Sequence, residues 1–211
     1  MSTPLWILWT LAAFFSGATP FAWVLGKIFL RLDIRDYGDG NPGATNLYRA
    51  TDNNLRWYIT ALLMDMLKGI LPVGIAYWLM GINDAQIIPI AIAPILGHAF
   101  SPFLGFKGGK ALAVTGGVWT GLLLFEAPLV MCILLVYCFF SVDSSGWAVL
   151  FTALSMTLYF SLTGRDPVLW VIWGFNVIIV LYNHRHDYRT LPHIKRWLPF
   201  LPKNPPGEHA L

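Results

Sequence analysis

Of the chain's 211 residues, 56% are hydrophobic and only 12% are charged, about half the roughly 25% charge of an ordinary soluble domain. That composition excludes a soluble globular fold and indicates a membrane protein, in which about 20 apolar residues make one helical crossing and this length makes one compact bundle. The net charge of +3 is too small to mark a nucleic-acid binder, so the positions of the charges matter more than their sum.

The first apolar run covers residues 6–30. No cation precedes it and it exceeds a signal-peptide core in length, so it is expected to remain as the first transmembrane helix. RDYGDGNPGATNLYRA follows at 35–50. In it Gly38, Gly40 and Gly43 permit positive φ, Pro42 fixes a turn, and Thr45 and Asn46 offer donors at a helix start. Successive amides in such a loop form a concave anion site, strengthened by Arg35 and Arg49. An ordinary Gly-rich surface loop would carry the same pattern.

The second run, 57–80, contains DMLKG, with Asp65 and Lys68 three apart on one helical face. Charges at that depth face a partner or a wet cavity, so an internal ion pair and a substrate contact both fit. The third run, 86–104, carries His98, which reads as a hydrogen-bonded structural residue more readily than as a catalyst. It leads into GFKGGK at 105–110, where Lys107, Gly108, Gly109 and Lys110 bring ammonium groups and backbone amides together around a phosphate. Lysines that anchor a turn at the inner face are the plainer alternative. The pattern is not a nucleotide P-loop, which needs GxxxxGK followed by Ser or Thr.

Four shorter runs complete the chain at 112–125, 128–140, 147–162 and 167–182. Sixteen helical residues reach roughly 24 Å, a little short of a hydrocarbon core of about 30 Å. Cys132 and Cys138 lie within one of these runs without metal-site spacing and read as packing residues. Glu126 falls at an outer turn. The last run ends in NHRHDYRTLPHIKRW, a basic segment that suits anionic lipid headgroups, although His184, Arg185 and Asp187 can also reach a site built by the other loops. A Pro-rich tail follows from Pro199, and the whole of 1–211 reads as one domain.

Cytoplasmic loops collect Lys and Arg. All of the 14 Lys and Arg residues except Lys68 and Arg165 fall around the first long loop, in the Lys107 loop, or after the last run. The N-terminus is therefore expected outside and the C-terminus inside. The chain must cross an even number of times between Lys110 and Arg185. Four crossings avoid placing Glu126 or the GRDP turn at 164–167 in mid-membrane, which gives an all-α bundle of seven transmembrane helices.

GDGNPGATN, DMLKG and GHAFSPFLGFKGGKA, in this order, resemble the bacterial acyl-phosphate glycerol-3-phosphate acyltransferase family over most of the chain. The resemblance implies a seven-helix bundle of the inner membrane and a cytoplasmic-side site. There a fatty acyl group would pass from acyl phosphate to the 1-hydroxyl of glycerol 3-phosphate, giving lysophosphatidic acid and phosphate. It assigns Arg35, Gly40, Asn41, Gly43, Thr45 and Asn46 from the first motif, and His98, Lys107, Gly108, Gly109 and Lys110 from the second. His184 and Arg185 come from the third segment. The chain departs from the family pattern at Asp39, where Ser is usual, at Asp187, where Asn is usual, and at Thr115, which falls one place late.

An acyl phosphate carries its own anionic leaving group, so positioning and charge stabilisation matter more than a protein nucleophile. Lys107, Lys110 and Arg35 are expected to hold the phosphates, with the substrate phosphate or His184 accepting the hydroxyl proton. Asp39 would repel a phosphate unless paired, and Arg35 is its expected partner. No His is followed five places later by Asp, the arrangement of acyl-CoA-dependent acyltransferases, so an acyl-phosphate donor, no metal and no cofactor are expected. Rival readings are a transporter of a phosphorylated metabolite, with Asp65, Lys68 and Lys107 along an aqueous path, and an inactive lipid-binding relative.

Overall fold

The computed structural model describes residues 3–195, so the Pro-rich tail from Pro199 lies outside the described residues. Nine α-helices account for most of the described chain: α1 Thr3–Ala18, α2 Phe21–Leu25, α3 Ala44–Ala50, α4 Leu55–Gly74, α5 Ile87–Ala99, α6 Leu112–Leu123, α7 Glu126–Ser141, α8 Ser145–Thr163 and α9 Pro167–Asn183. Among the described residues strand pairing is limited to one bridge, Val142 with Ile194. The helix starts follow local chemistry. Asn54 accepts from the Arg56 amide ahead of α4, and Asp166 accepts from the Val168 amide at 2.7 Å ahead of α9, whose first residue is Pro167.

The first apolar run is expected to be one helix, and here the structure differs. α1 and α2 are bent by 46° at Thr19 and Pro20. Pro20 has no N–H to give Ser16 and the chain bends out of the helix there, so the last carbonyls of the turn have no donor four residues on. Side chains from elsewhere replace them: Ser101 Oγ donates to the Ala18 carbonyl at 2.6 Å, and Lys68 Nζ to the Thr19 carbonyl at 2.9 Å. Pro72 in α4 likewise leaves the Lys68 carbonyl free, and Ser16 Oγ donates to it at 3.0 Å.

Small residues let these helices touch backbone to backbone. A Cβ on Gly97 would collide with the Phe14 carbonyl oxygen of α1, and one on Gly69 would sit 2.7 Å from the Val114 carbonyl oxygen of α6. Trp119, Phe160 and Trp173 pack edge-to-face or tilted between α6, α8 and α9. Buried Asn176 accepts from Trp119 Nε1 at 2.8 Å and donates to Thr115 Oγ1 at 3.1 Å, which locks α9 to α6. Outward faces present Leu8, Ile133, Leu158 and Ile178.

By length and apolarity, Leu55–Leu79, Ile87–Leu104 and Ser145–Thr163 each suffice to cross a membrane, and the bent pair Leu5–Ala18 and Phe21–Leu30 makes a fourth. Leu112–Leu123, Glu126–Ser141 and Pro167–Asn183 are shorter apolar helices. Arg165 pairs with Glu126, so the turns after α6 and after α8 meet at one end of the bundle. At the other, the segment that follows α9 reaches the end of α7, where Lys195 N donates to the Ser141 carbonyl at 2.8 Å.

Candidate functional site

At the end of the bundle where α5 and α9 finish and α6 begins, three segments remote in sequence line one cavity of about 470 Å³. Asp39, Gly40, Asn41 and Pro42 form one wall, Phe106 to Lys110 a second, and Tyr182, Asn183, Arg185, His186 and Asp187 a third, with Ala99 and Phe100 between them.

The first wall is a turn built on Gly38 and Gly40, whose φ values of +57° and +74° suit glycine. Gly43, expected to share that conformation, is instead extended at φ −104° and starts α3. Asn46 is buried and holds the loop: its Nδ2 donates to Asp39 Oδ1 at 3.0 Å and to the Asn41 carbonyl at 2.9 Å, while Arg49 donates to its Oδ1. Thr45 is exposed on the first turn of α3. Of the expected binding residues in this motif, Asp39, Gly40 and Asn41 reach the cavity, Asn46 supports it from behind, and Gly43 and Thr45 are not on its wall.

Arg35 is not on the cavity wall. It is held by Asp33, with Nε to Oδ1 at 3.0 Å and Nη2 to Oδ2 at 2.7 Å, and lies 5.6 Å from the centre of the Trp23 ring. Asp33 is two residues away and takes Lys27 as well, at 3.1 Å, so local pairing prevails over the expected reach to Asp39. The partner of Asp39 is Lys110, at 3.0 Å. Burial alone would raise the Asp39 carboxyl, but the Lys110 ammonium and hydrogen bonds from Asn41 and Asn46 outweigh it and leave the group below its ordinary value.

In the second wall the expectation that glycine amides face a phosphate is overturned. Gly108 N donates to the Ala99 carbonyl at 3.1 Å and Gly109 N to the His98 carbonyl at 3.0 Å, so both amides cap α5. Glycine is required there because a Cβ on Gly108 would collide with the His98 carbonyl oxygen, and one on Gly109 with the His98 ring. His98 thus seats the loop. The loop offers the cavity its lysine side chains: Lys107 is exposed and forms no ion pair among the described residues, whereas Lys110 is shared.

In the third wall, Arg185 lies over the Tyr182 ring at 4.3 Å and donates to the Tyr182 carbonyl at 3.0 Å. His184, 1% exposed, is absent from the lining. Its Nδ1 donates to the Val180 carbonyl at 2.9 Å, which leaves Nε2 as a buried acceptor without a donor. Burial pushes its pKa down, so the ring stays neutral. Asp187 Oδ2 accepts from Ser145 Oγ at 2.8 Å and lies 3.7 Å from Lys110 Nζ. Burial, with the Asp187 charge, pushes the neighbouring Tyr188 phenol up to about 12. The lining residues Asn183 and His186 and the aromatic rim of Phe100, Phe106 and Tyr182 were not singled out from sequence as site residues; their adjacency to the polar segments was the available signal.

Asp65 and Lys68 pair at 2.7 Å with side chains 4% and 1% exposed, away from this cavity. Of the two readings open to them, the structure shows the ion pair.

Residues 7–193 match the family model described as glycerol-3-phosphate acyltransferase. Among curated proteins, glycerol-3-phosphate acyltransferase 1 of Thermotoga maritima is 35% identical over 190 residues, covering 83% of this chain and 92% of that one. The glycerol-3-phosphate acyltransferase of Maridesulfovibrio salexigens is 33% identical over 190 residues, covering 89% and 93%. Among solved structures, PlsY (YgiH), an integral membrane glycerol 3-phosphate acyltransferase in its glycerol 3-phosphate form, superposes with a TM-score of 0.79 at 26% identity, covering 87% of this chain and 90% of that one. Its lysophosphatidic acid form gives a TM-score of 0.77 at the same identity, covering 87% and 89%.

Proposed function

Since this chain belongs to the glycerol-3-phosphate acyltransferase family, we propose that it moves a fatty acyl group from acyl phosphate to the 1-hydroxyl of glycerol 3-phosphate, releasing lysophosphatidic acid and inorganic phosphate. The observation that carries this reading is the meeting of three remote segments around one cavity with Lys107, Lys110 and Arg185 on its walls. Two phosphate groups must be held close together for this transfer, and cations in a partly enclosed site offset their repulsion and stabilise the departing anion. An amphiphilic product suits a cavity whose lining mixes Lys107, Lys110 and Arg185 with Phe100, Phe106 and Tyr182. An apolar cleft among α6, α7, α8 and α9, lined by Leu112, Met131, Val149 and Leu181, offers the acyl chain a place between helices.

The same reading makes the four longer segments and three shorter apolar helices seven crossings of a bacterial inner membrane. The cavity then lies at the cytoplasmic face, with the N-terminus outside, as the clustering of Lys and Arg around its loops supports. A transport path through Asp65 and Lys68 is disfavoured by their burial against each other. Purified protein in micelles, given radiolabelled glycerol 3-phosphate with palmitoyl phosphate or with palmitoyl-CoA, tests the proposal. Ester product with the phosphate donor alone is expected. Equal product from the thioester would refute the donor, and no product from either would refute the transfer.

A further inference from the structure

A phosphate site is ordinarily lined by cations, yet two carboxylates from different walls line this cavity. Asp39 and Asp187 approach Lys110 Nζ from different segments, at 3.0 and 3.7 Å, and both line the cavity. They are also the two positions in the walls at which the chain departs from the Ser and Asn of the resembled pattern. Two carboxylates around one ammonium leave that cluster with a negative balance. Lys107 and Arg185 are the lining Lys and Arg residues that pair with no carboxylate among the described residues.

The cavity also holds an acceptor that lacks a donor. Asp187 Oδ1 accepts nothing among the described residues, since Ser145 and Lys110 both engage Oδ2. The Asp187 side chain packs close to Gly146, where an added Cβ would lie 2.5 Å from the Asp187 Cβ, and the Ser145 hydroxyl holds its Oδ2. An unfilled carboxylate oxygen beside cations suits a ligand that brings an alcohol hydroxyl as well as a phosphate. A phosphate without that hydroxyl meets the carboxylates as repulsion with nothing to offset it.

Resting on the acceptor reading above, we propose that Asp39 and Asp187 set the specificity of the cavity. Both occupy Lys110 as internal counter-ions, and Asp187 offers its open oxygen to an alcohol hydroxyl, so that a polyol phosphate is held and free inorganic phosphate is rejected. The preference has a use in acyl transfer from an acyl phosphate, where inorganic phosphate is the leaving product and must not block the acceptor's place.

The test is equilibrium binding of glycerol 3-phosphate and of inorganic phosphate to the purified full chain in micelles. The wild type is expected to prefer glycerol 3-phosphate by at least about tenfold, the effect of one charge-assisted hydrogen bond. Asp39→Asn with Asp187→Asn keeps the shape and the accepting oxygens but removes both charges. Inorganic phosphate should then bind at least about tenfold more tightly and the preference should narrow, because glycerol 3-phosphate gains the same released cation but gives up its charge-assisted hydroxyl bond. An unchanged preference overturns the proposal. Methyl phosphate, a monoester with no alcohol hydroxyl, is a second reading on the wild-type chain that needs no variant to fold. It should bind at least about tenfold more weakly than glycerol 3-phosphate, and equal binding overturns the proposal. A wild type that shows the preference but forms no ester refutes acyl transfer and leaves this specificity standing. One that forms ester while these binding expectations fail refutes the specificity alone.

Discussion

Replacing Lys68 by Met should unsettle the fold more than any other single loss of charge. Its ammonium lies 2.7 Å from Asp65 Oδ1 and 2.9 Å from the Thr19 carbonyl, with both charged side chains almost wholly enclosed. Met fills similar space but strands the Asp65 carboxylate. Removing one partner of a buried pair costs about 3–5 kcal/mol, and the Thr19 carbonyl keeps its bond from the Phe21 amide at 3.1 Å. At about 2–4 °C per kcal/mol for a chain of this size, the pair alone corresponds to a melting point lower by about 6–20 °C. Tryptophan fluorescence on heating in micelles reads the transition, since the chain has 10 tryptophans. Lys68→Met combined with Asp65→Asn should recover at least half of the loss, because no stranded charge remains. A single variant melting within about 2 °C of wild type, or a double variant no better than the single, would refute the assignment of this pair to the fold.

Asp39→Ser should retain or raise acyltransferase activity, with a lower KM for glycerol 3-phosphate in steady-state assays, because Lys110 is released toward the substrate; complete loss of turnover would mean that Asp39 has a role of its own. Gly109→Ala places a methyl group against the His98 ring and should cost about 1–3 kcal/mol and most of the activity. Gly116→Ala, whose nearest neighbour would be a Met methyl group at 3.9 Å, is the control and should melt like wild type. Asp33 supplies a pH test. Its carboxyl is held well below the ordinary value of 3.8, chiefly by the Arg35 hydrogen bond, with the Lys27 contact adding to it. A depressed folded-state pKa contributes stability that is fully present above 3.8 and lost as pH falls through the lower, folded value. The melting-point gap between wild type and Asp33→Asn should therefore hold at pH 6 and close in strong acid, and a gap that widens on acidification would contradict the sign.

Helix positions were the most legible part of the chain. Long apolar runs separated by Gly, Pro and charge leave a membrane segment few alternatives, so the runs from 57–80 onward match helices to within a few residues at most ends. The break at Pro20 was written in the sequence but outweighed there by the unbroken apolarity of 6–30. Partner choice was less legible. Arg35 had Asp33 two residues away and Asp39 four away, and only the fold shows that Lys110, seventy-one positions on, reaches Asp39 first. The glycines of GFKGGK had two meanings, amides for a phosphate or room for a close approach. The deciding fact, that α5 ends with free carbonyls beneath them, is a property of tertiary packing.

Lys68 lies away from the cavity, yet it bonds to the same helix break from which hydrogen bonds lead to the lysine loop. The bend at Pro20 exposes two carbonyls, and their donors come from α4 and from the segment after α5. Ser101, which caps Ala18, also accepts from the Phe106 amide through its own carbonyl at 2.8 Å. The residue after Phe106 is Lys107. A continuous set of hydrogen bonds therefore runs from the broken first helix through Ser101 to the base of the lysine loop, with Lys68 fixing the neighbouring carbonyl of the same break. Ser101→Ala would remove one bond from that set without adding a charge, leaving the buried Ala18 carbonyl unpaired at a cost of about 1–3 kcal/mol. If the set positions Lys107, this variant should raise the KM for glycerol 3-phosphate as well as lower the melting point. A variant that melts lower yet keeps its KM would show that the break and the loop are mechanically independent.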